Sequence, residues 1–212
     1  MKMLRGNSGR DTDRLEAFTD AIIAIAITLL VLDIKVPSSE ANESNQALWH
    51  ALGDIWPSYF GYALSFIVLG IMWVNHHQIF QYIARTNHTF LIINVFFLLC
   101  VSFLPFPTGL VAEYIGHEGE GTATIVYTGW FLMTAIFYNL IWRYPQRAGL
   151  IDEAADPAAI AAINRVFSLG PPSYLIAFLV AFISPTAALI IMTILAILYA
   201  IPSGWLLLRK SA

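Results

Sequence analysis

Polar and apolar positions alternate in long blocks along this chain. Apolar runs of membrane-crossing length, roughly 20 residues each, are separated by short polar breaks rich in Pro, Gly, Asn and charge. The first run lies near 15–36, from Leu15 to Val36, and Pro37 marks its end. Asp13 with Glu16 has the spacing of an N-cap and its N3 partner. A second span is expected near 57–80, opening at Pro57 and closing around Asn75-His76-His77, and a third near 88–108, stopping at Pro105-Phe106-Pro107. The fourth lies near 122–143. The fifth lies near 166–184, where Pro171-Pro172 marks a potential break close to its start. The sixth lies near 185–208, with Ser184-Pro185 as cap and first-turn proline and Pro202 at a kink position. Two connecting segments have helical character without spanning. Ser44 to Trp56 brings Leu48, Trp49, Leu52 and Trp56 to one side, which suits the interface. Ala158 to Ser168, behind Asp156-Pro157, leads into the fifth span.

Composition strengthens this picture. Of 212 residues, 58% are hydrophobic and 12% charged, with mean hydropathy +0.68. That leaves too little polar material to clothe a water-soluble domain. The expected class is an all-α membrane protein with six transmembrane helices in one domain, 1–212, without internal repeat. The net charge of −3 and the lack of a basic cluster give no footing for nucleic acid. Met1 to Asp13 is polar, so the first span reads as a retained helix, not a cleaved leader. Cys100, the single cysteine, reads as packing.

Charge sets the expected orientation. With the N-terminus inside, the inner segments hold Lys2, Arg5, Arg10, Arg14, Arg85, Arg143, Arg147, Arg165, Arg209 and Lys210, and the outer ones hold only Lys35. This bias places both termini in the cytoplasm of a multi-pass protein in a cell membrane. The outer segments carry Asp33, Glu40, Glu43, Asp54, Glu113, Glu118 and Glu120. Such an acidic face concentrates cations, and it is also what easy translocation of acids leaves behind.

The first span carries the candidate chemistry. At about 100° per residue, Ile25, Leu29 and Leu32 share one stripe with Thr28 on its shoulder, a pattern that lipid contact or helix packing also gives. Asp20 points about 140° away from Ile25, toward neighbouring helices. Its candidate partners are Arg14, His76, His77 and Asn94. A carboxylate so placed serves either as structural support or as part of a proton relay. Adjacent His76 and His77 diverge on a helix, and no HExxH or CxxC pattern accompanies them, so no metal and no cofactor are expected. The motifs of acyl-transfer and metal-dependent enzymes are absent as well, so no enzymatic activity is expected.

The run Arg14-Leu15-Glu16-Ala17-Phe18-Thr19-Asp20 resembles the RxxxFSD signature of the lysosomal potassium channel family, with Thr19 where the family has Ser. Trp73-Val74-Asn75-His76-His77-Gln78-Ile79-Phe80 is similar to the family's second-helix ending, and Ser102-Phe103-Leu104-Pro105-Phe106-Pro107-Thr108 to its third. The resemblance implies six helices per repeat, one repeat per chain, and a homotetramer whose first helices line an ion path. It implies a constriction at Ile25, Leu29 and Leu32, with Thr28 nearby as a polar influence on selectivity. It also implies a structural polar network of Arg14, Phe18, Thr19, Asp20, His76, His77 and Asn94. An apolar ring makes a passing ion shed water, and potassium sheds it more readily than sodium. The expected function is therefore a potassium channel, modestly selective over sodium, with potassium ions and the lipid bilayer as partners. The alternative is a proton-coupled secondary transporter or proton-permeable channel using Asp20 with His76 or His77.

Overall fold

The computed structural model describes residues 5–38 and 44–200, with side chains from Asp11 onward. Among them every regular element is a helix, joined by turns and loops, with an isolated antiparallel bridge between Ile83 and Ile151. The helices are α1 (Arg5–Leu29), running into a 3₁₀ turn at Leu30–Asp33, α2 (Asn45–Asp54), α3 (Trp56–Phe80) and α4 (His88–Phe103). They continue as α5 (Pro105–Tyr114), α6 (Glu120–Arg147), α7 (Pro157–Ala181) and α8 (Pro185–Ala200). Five stretches are long and apolar enough to cross a membrane: Asp11–Asp33, Trp56–Phe80, His88–Tyr114, Glu120–Arg147 and Pro157–Ala181. The sixth expected span is described over Pro185–Ala200, 16 residues. Its remainder to 208, with Pro202, lies outside the described residues, as do Lys2, Glu40, Glu43, Arg209 and Lys210 and the side chains of Arg5 and Arg10.

Several starts and stops follow from capping. Asn87 accepts a bond from the Phe90 amide at 2.9 Å and opens α4. Asp156 accepts from the Ala158 amide at 2.9 Å ahead of Pro157. Ser44 accepts from the Ala47 amide at 3.1 Å and opens α2. Each side-chain oxygen serves an amide that lacks a helical acceptor.

The structure corrects four expectations. Asp13 is no cap, because α1 already runs from Arg5 and places it inside the helix. Pro105-Phe106-Pro107 does not end the third span. Pro105 and Pro107 fall in the first turn of α5, where no amide bond is needed, so the chain stays helical to Tyr114. The fourth helix extends beyond 122–143 at both ends, to Glu120–Arg147. The fifth is not broken at Pro171-Pro172, and the stretch from Ala158 is part of it. Pro171 lacks the N–H that would bond the Phe167 carbonyl, and the Asn139 side-chain amide of α6 donates there instead. A neighbouring helix thereby satisfies the freed acceptor, as membrane bundles require.

The core lies between α3, α4, α6 and α7, where Phe90, Phe97, Tyr127, Phe131 and Trp142 are fully buried. Ser65 of α3 bonds both Thr108 of α5 (2.8 Å) and Tyr127 of α6 (3.1 Å) in the interior. At one end of the bundle the 80–87 and 148–156 segments join through Ala84 N to Leu150 O and Asp152 N to Tyr82 O, both 2.9 Å. Arg85 belongs to this end and donates to the Gly149 carbonyl. At the other end Lys35 pairs with Glu113 at 3.2 Å. Gly109 lets Asp33 lie against α5, since a Cβ there would sit 2.9 Å from the Asp33 carboxyl carbon.

Candidate functional site

The site is built on α1, which rests on α3 and α4. Its buried line is Thr12, Leu15, Thr19, Ile23, Ala26 and Leu30, a helical period that faces the bundle. Side-chain bonds from α3 and α4 hold this helix at Glu16, Thr19 and Asp20. Asn94 Nδ2 of α4 donates to Thr19 Oγ1 at 2.8 Å, with both residues fully buried. Trp73 Nε1 of α3 donates to Asp20 Oδ1 at 3.0 Å. His77 Nδ1, one turn further along α3, donates to Glu16 Oε1 at 2.8 Å.

These bonds set the rotation of α1 about its axis. With Glu16 at zero, Thr19 lies at about −60° and Asp20 at about 40°. Leu32, Ile25 and Leu29 then fall at about 160°, 180° and 220°, on the side opposite the bonds. Their exposure in the protomer follows: Ile25 is 57% exposed, Leu29 41% and Leu32 72%. Phe18 shares this face and is exposed too, so it belongs to the open stripe and not to the bonded side. Thr28 is exposed on the shoulder, its hydroxyl donating to the Ile25 carbonyl at 2.8 Å. Beside the stripe, Phe18, Ile25 and Leu29 of α1 and Val95, Leu99 and Ser102 of α4 line an apolar hollow of about 410 Å³.

The candidate polar residues are thus gathered only in part. Asp20 receives its bond from Trp73, and none of Arg14, His76, His77 and Asn94 bonds to it. Arg14 is exposed and pairs with no described residue. His76 is fully buried, stacked on Phe80 with ring centroids 4.1 Å apart, and neither of its ring nitrogens is hydrogen-bonded. The adjacent histidines therefore divide, one into the aromatic core and one toward Glu16. Sequence reasoning gave Trp73 and Glu16 no such roles. The available signal was spacing: Trp73 and His77 are four apart on α3, as Glu16 and Asp20 are on α1, so two facing pairs can meet.

Residues 14–105 match the family described as endosomal/lysosomal potassium channel TMEM175. The chain is 42% identical over 203 residues to a protein of Chamaesiphon minutus named a potassium channel, covering 95% of this chain and 100% of that one. It is 40% identical over 191 residues to a similarly named protein of Streptomyces collinus, covering 89% and 91%. The fold matches the crystal structure of a lysosomal potassium-selective channel TMEM175 homolog from Chamaesiphon minutus, with TM-score 0.80 and 40% identity over 96% of this chain and 100% of that one.

Proposed function

We infer that this chain, which belongs to the TMEM175 family of endosomal/lysosomal potassium channels, conducts potassium through a homotetramer of six-helix subunits whose α1 helices line the ion path. Both termini then lie in the cytoplasm and the chain resides in a cell membrane. Ile25, Leu29 and Leu32 form the constriction, and Thr28 offers its remaining oxygen lone pairs to the path. One observation carries this reading. On the side opposite its open stripe, α1 is bonded to α3 and α4 through Glu16, Thr19 and Asp20. A helix that only faced lipid would not need so fixed a rotation. The hollow between α1 and α4 gives the neighbouring subunit's α1 a place to pack.

Four sets of branched apolar side chains around one axis make a neck that water wets poorly. A cation entering it sheds part of its hydration, and potassium does so at lower cost than sodium. The result is modest selectivity without backbone carbonyl cages. The test is bi-ionic current recording on reconstituted protein. Ile25→Ala and Ile25→Asn are expected to raise conductance or bring the potassium-to-sodium permeability ratio toward one; unchanged values in both would remove Ile25 from the path. The transport alternative finds no bonded route here, since no hydrogen bond joins Asp20 to either imidazole.

A further inference from the structure

At the end of the bundle that carries Arg85, α6 and α7 form an open surface hollow of about 330 Å³ lined by Arg143, Gln146, Arg147, Asn164, Arg165 and Ser168. This volume falls at the lower end of small-ligand sites, roughly 300–1,000 Å³. Its floor is fixed by polar bonds. Gln146 and Asn164 exchange bonds of 3.0 Å in both directions, and Trp142 Nε1 donates to Asn164 Oδ1 at 2.7 Å. Arg143 Nε donates to Asn139 Oδ1 at 2.6 Å, which orients that guanidinium. Arg147 and Arg165 are exposed, and none of the three arginines forms an ion pair with a described residue. The acids of the adjoining loop are engaged elsewhere. Asp152 and Asp156 bond the Ala154 and Ala158 amides at 2.9 Å, and Glu153 lies 4.0 Å from Arg85.

Three guanidiniums around one hollow, with no carboxylate among them, call for an anion that accepts several N–H bonds at once. Phosphate is that chemistry. Depth selects its source. α6 has 28 residues, so at about 1.5 Å per residue it exceeds the hydrocarbon thickness of about 30 Å by about 12 Å, leaving about four residues beyond it at each end. Arg147 thus lies at headgroup level, and Arg143, one turn earlier at the edge of the hydrocarbon, reaches that level with its long side chain. Arg165 is level with them, because Asn164 bonds Gln146 across the helix pair. Basic pockets between helices at this depth hold the headgroups of anionic lipids.

We propose that the Arg143–Arg147–Arg165 hollow binds the phosphate of an anionic phospholipid headgroup, seating a lipid against the α6–α7 pair at the end of the bundle that carries Arg85. The headgroup brings a negative charge and several acceptor oxygens to three like charges that no described carboxylate pairs with.

The test uses the full chain in nanodiscs of phosphatidylcholine with a minor share of phosphatidylglycerol, and native mass spectrometry of the lipid it retains. Retention of phosphatidylglycerol over phosphatidylcholine is expected for the unaltered chain. Each hollow arginine without an ion pair, unlike Arg85 beside Glu153, contributes about fivefold, so R147Q/R165Q is expected to lower the anionic preference about thirtyfold. R147K/R165K keeps the charge but loses the planar donor fork, and it should fall between the two. R85Q removes one charge from the same end outside the hollow and should leave the preference within about twofold. Equal losses in R85Q, or an unchanged preference in R147Q/R165Q, would overturn the site. A second arm adds inorganic phosphate or pyrophosphate at millimolar concentration. Undiminished lipid retention supports the headgroup, whereas displacement would overturn the lipid assignment in favour of a soluble phosphate. Neither arm depends on the identity of the permeant ion.

Discussion

Replacing Thr19 with valine removes one hydroxyl, changes the shape of the side chain little, and deletes the buried side-chain bond from Asn94 of α4 to α1. The Asn94 Nδ2–Thr19 Oγ1 distance is 2.8 Å and both residues are fully buried. A buried hydrogen bond contributes about 1 kcal/mol net, and leaving the Asn94 amide without a partner raises the total to about 1–3 kcal/mol. For a chain of this size that corresponds to a fall in Tm of about 2–4 °C per kcal/mol. The assay is thermal unfolding of the detergent-purified chain in a double-mutant cycle of T19V, N94L and T19V/N94L. The double variant is expected to cost less than the sum of the singles, with a coupling of about 0.6 kcal/mol and no more than about 1.7. T19S keeps the hydroxyl and loses only a buried methyl, about 1 kcal/mol, so it should melt within about 4 °C of the unaltered chain and retain the coupling to Asn94. Additive single effects, or a T19V variant as stable as T19S, would refute the claim that this bond fixes the rotation of α1. The same variants link structure to conduction. If the bonds aim Ile25, Leu29 and Leu32 at the path, T19V should also broaden the distribution of single-channel conductances, while T19S should not.

Other expectations follow from single contacts. Asn139→Leu leaves the Phe167 carbonyl unbonded opposite Pro171, and should cost about 1–3 kcal/mol in thermal unfolding; no loss would mean the Pro171 position needs no partner. Trp73→Phe removes the donor to the Asp20 carboxylate and is expected to cost about 1.5–3 kcal/mol, with much of the loss absent in an Asp20→Asn background. Gly109→Ala places a Cβ 2.9 Å from the Asp33 carboxyl carbon and should destabilise the chain by about 1–3 kcal/mol, unless the exposed end of α1 moves aside, which a crystal structure of the variant would show. Lys35→Ala breaks an ion pair whose side chains are 78% and 64% exposed, and its Tm should stay within the shift that about 1 kcal/mol produces.

Hydrophobic blocks of spanning length made the class legible in the sequence, because a helix is the only single segment that satisfies its own backbone in lipid. The α1 stripe was legible too, since helical periodicity alone puts Ile25, Leu29 and Leu32 on one side. Periodicity says which residues share a face and is silent on what that face meets. Only packing decided that Asp20 meets Trp73, that His77 meets Glu16, and that His76 enters the aromatic core. Prolines show the same division. Pro105 reads as a stop and Pro171 as a break near a helix start, because each lacks an amide hydrogen. Pro105 instead starts a helix, and Pro171 sits inside one because Asn139 donates to the carbonyl left free. Local chemistry thus determined which segments are helices and which faces are apolar. The partners of the polar groups come from residues distant in sequence, so the tertiary structure alone could choose them.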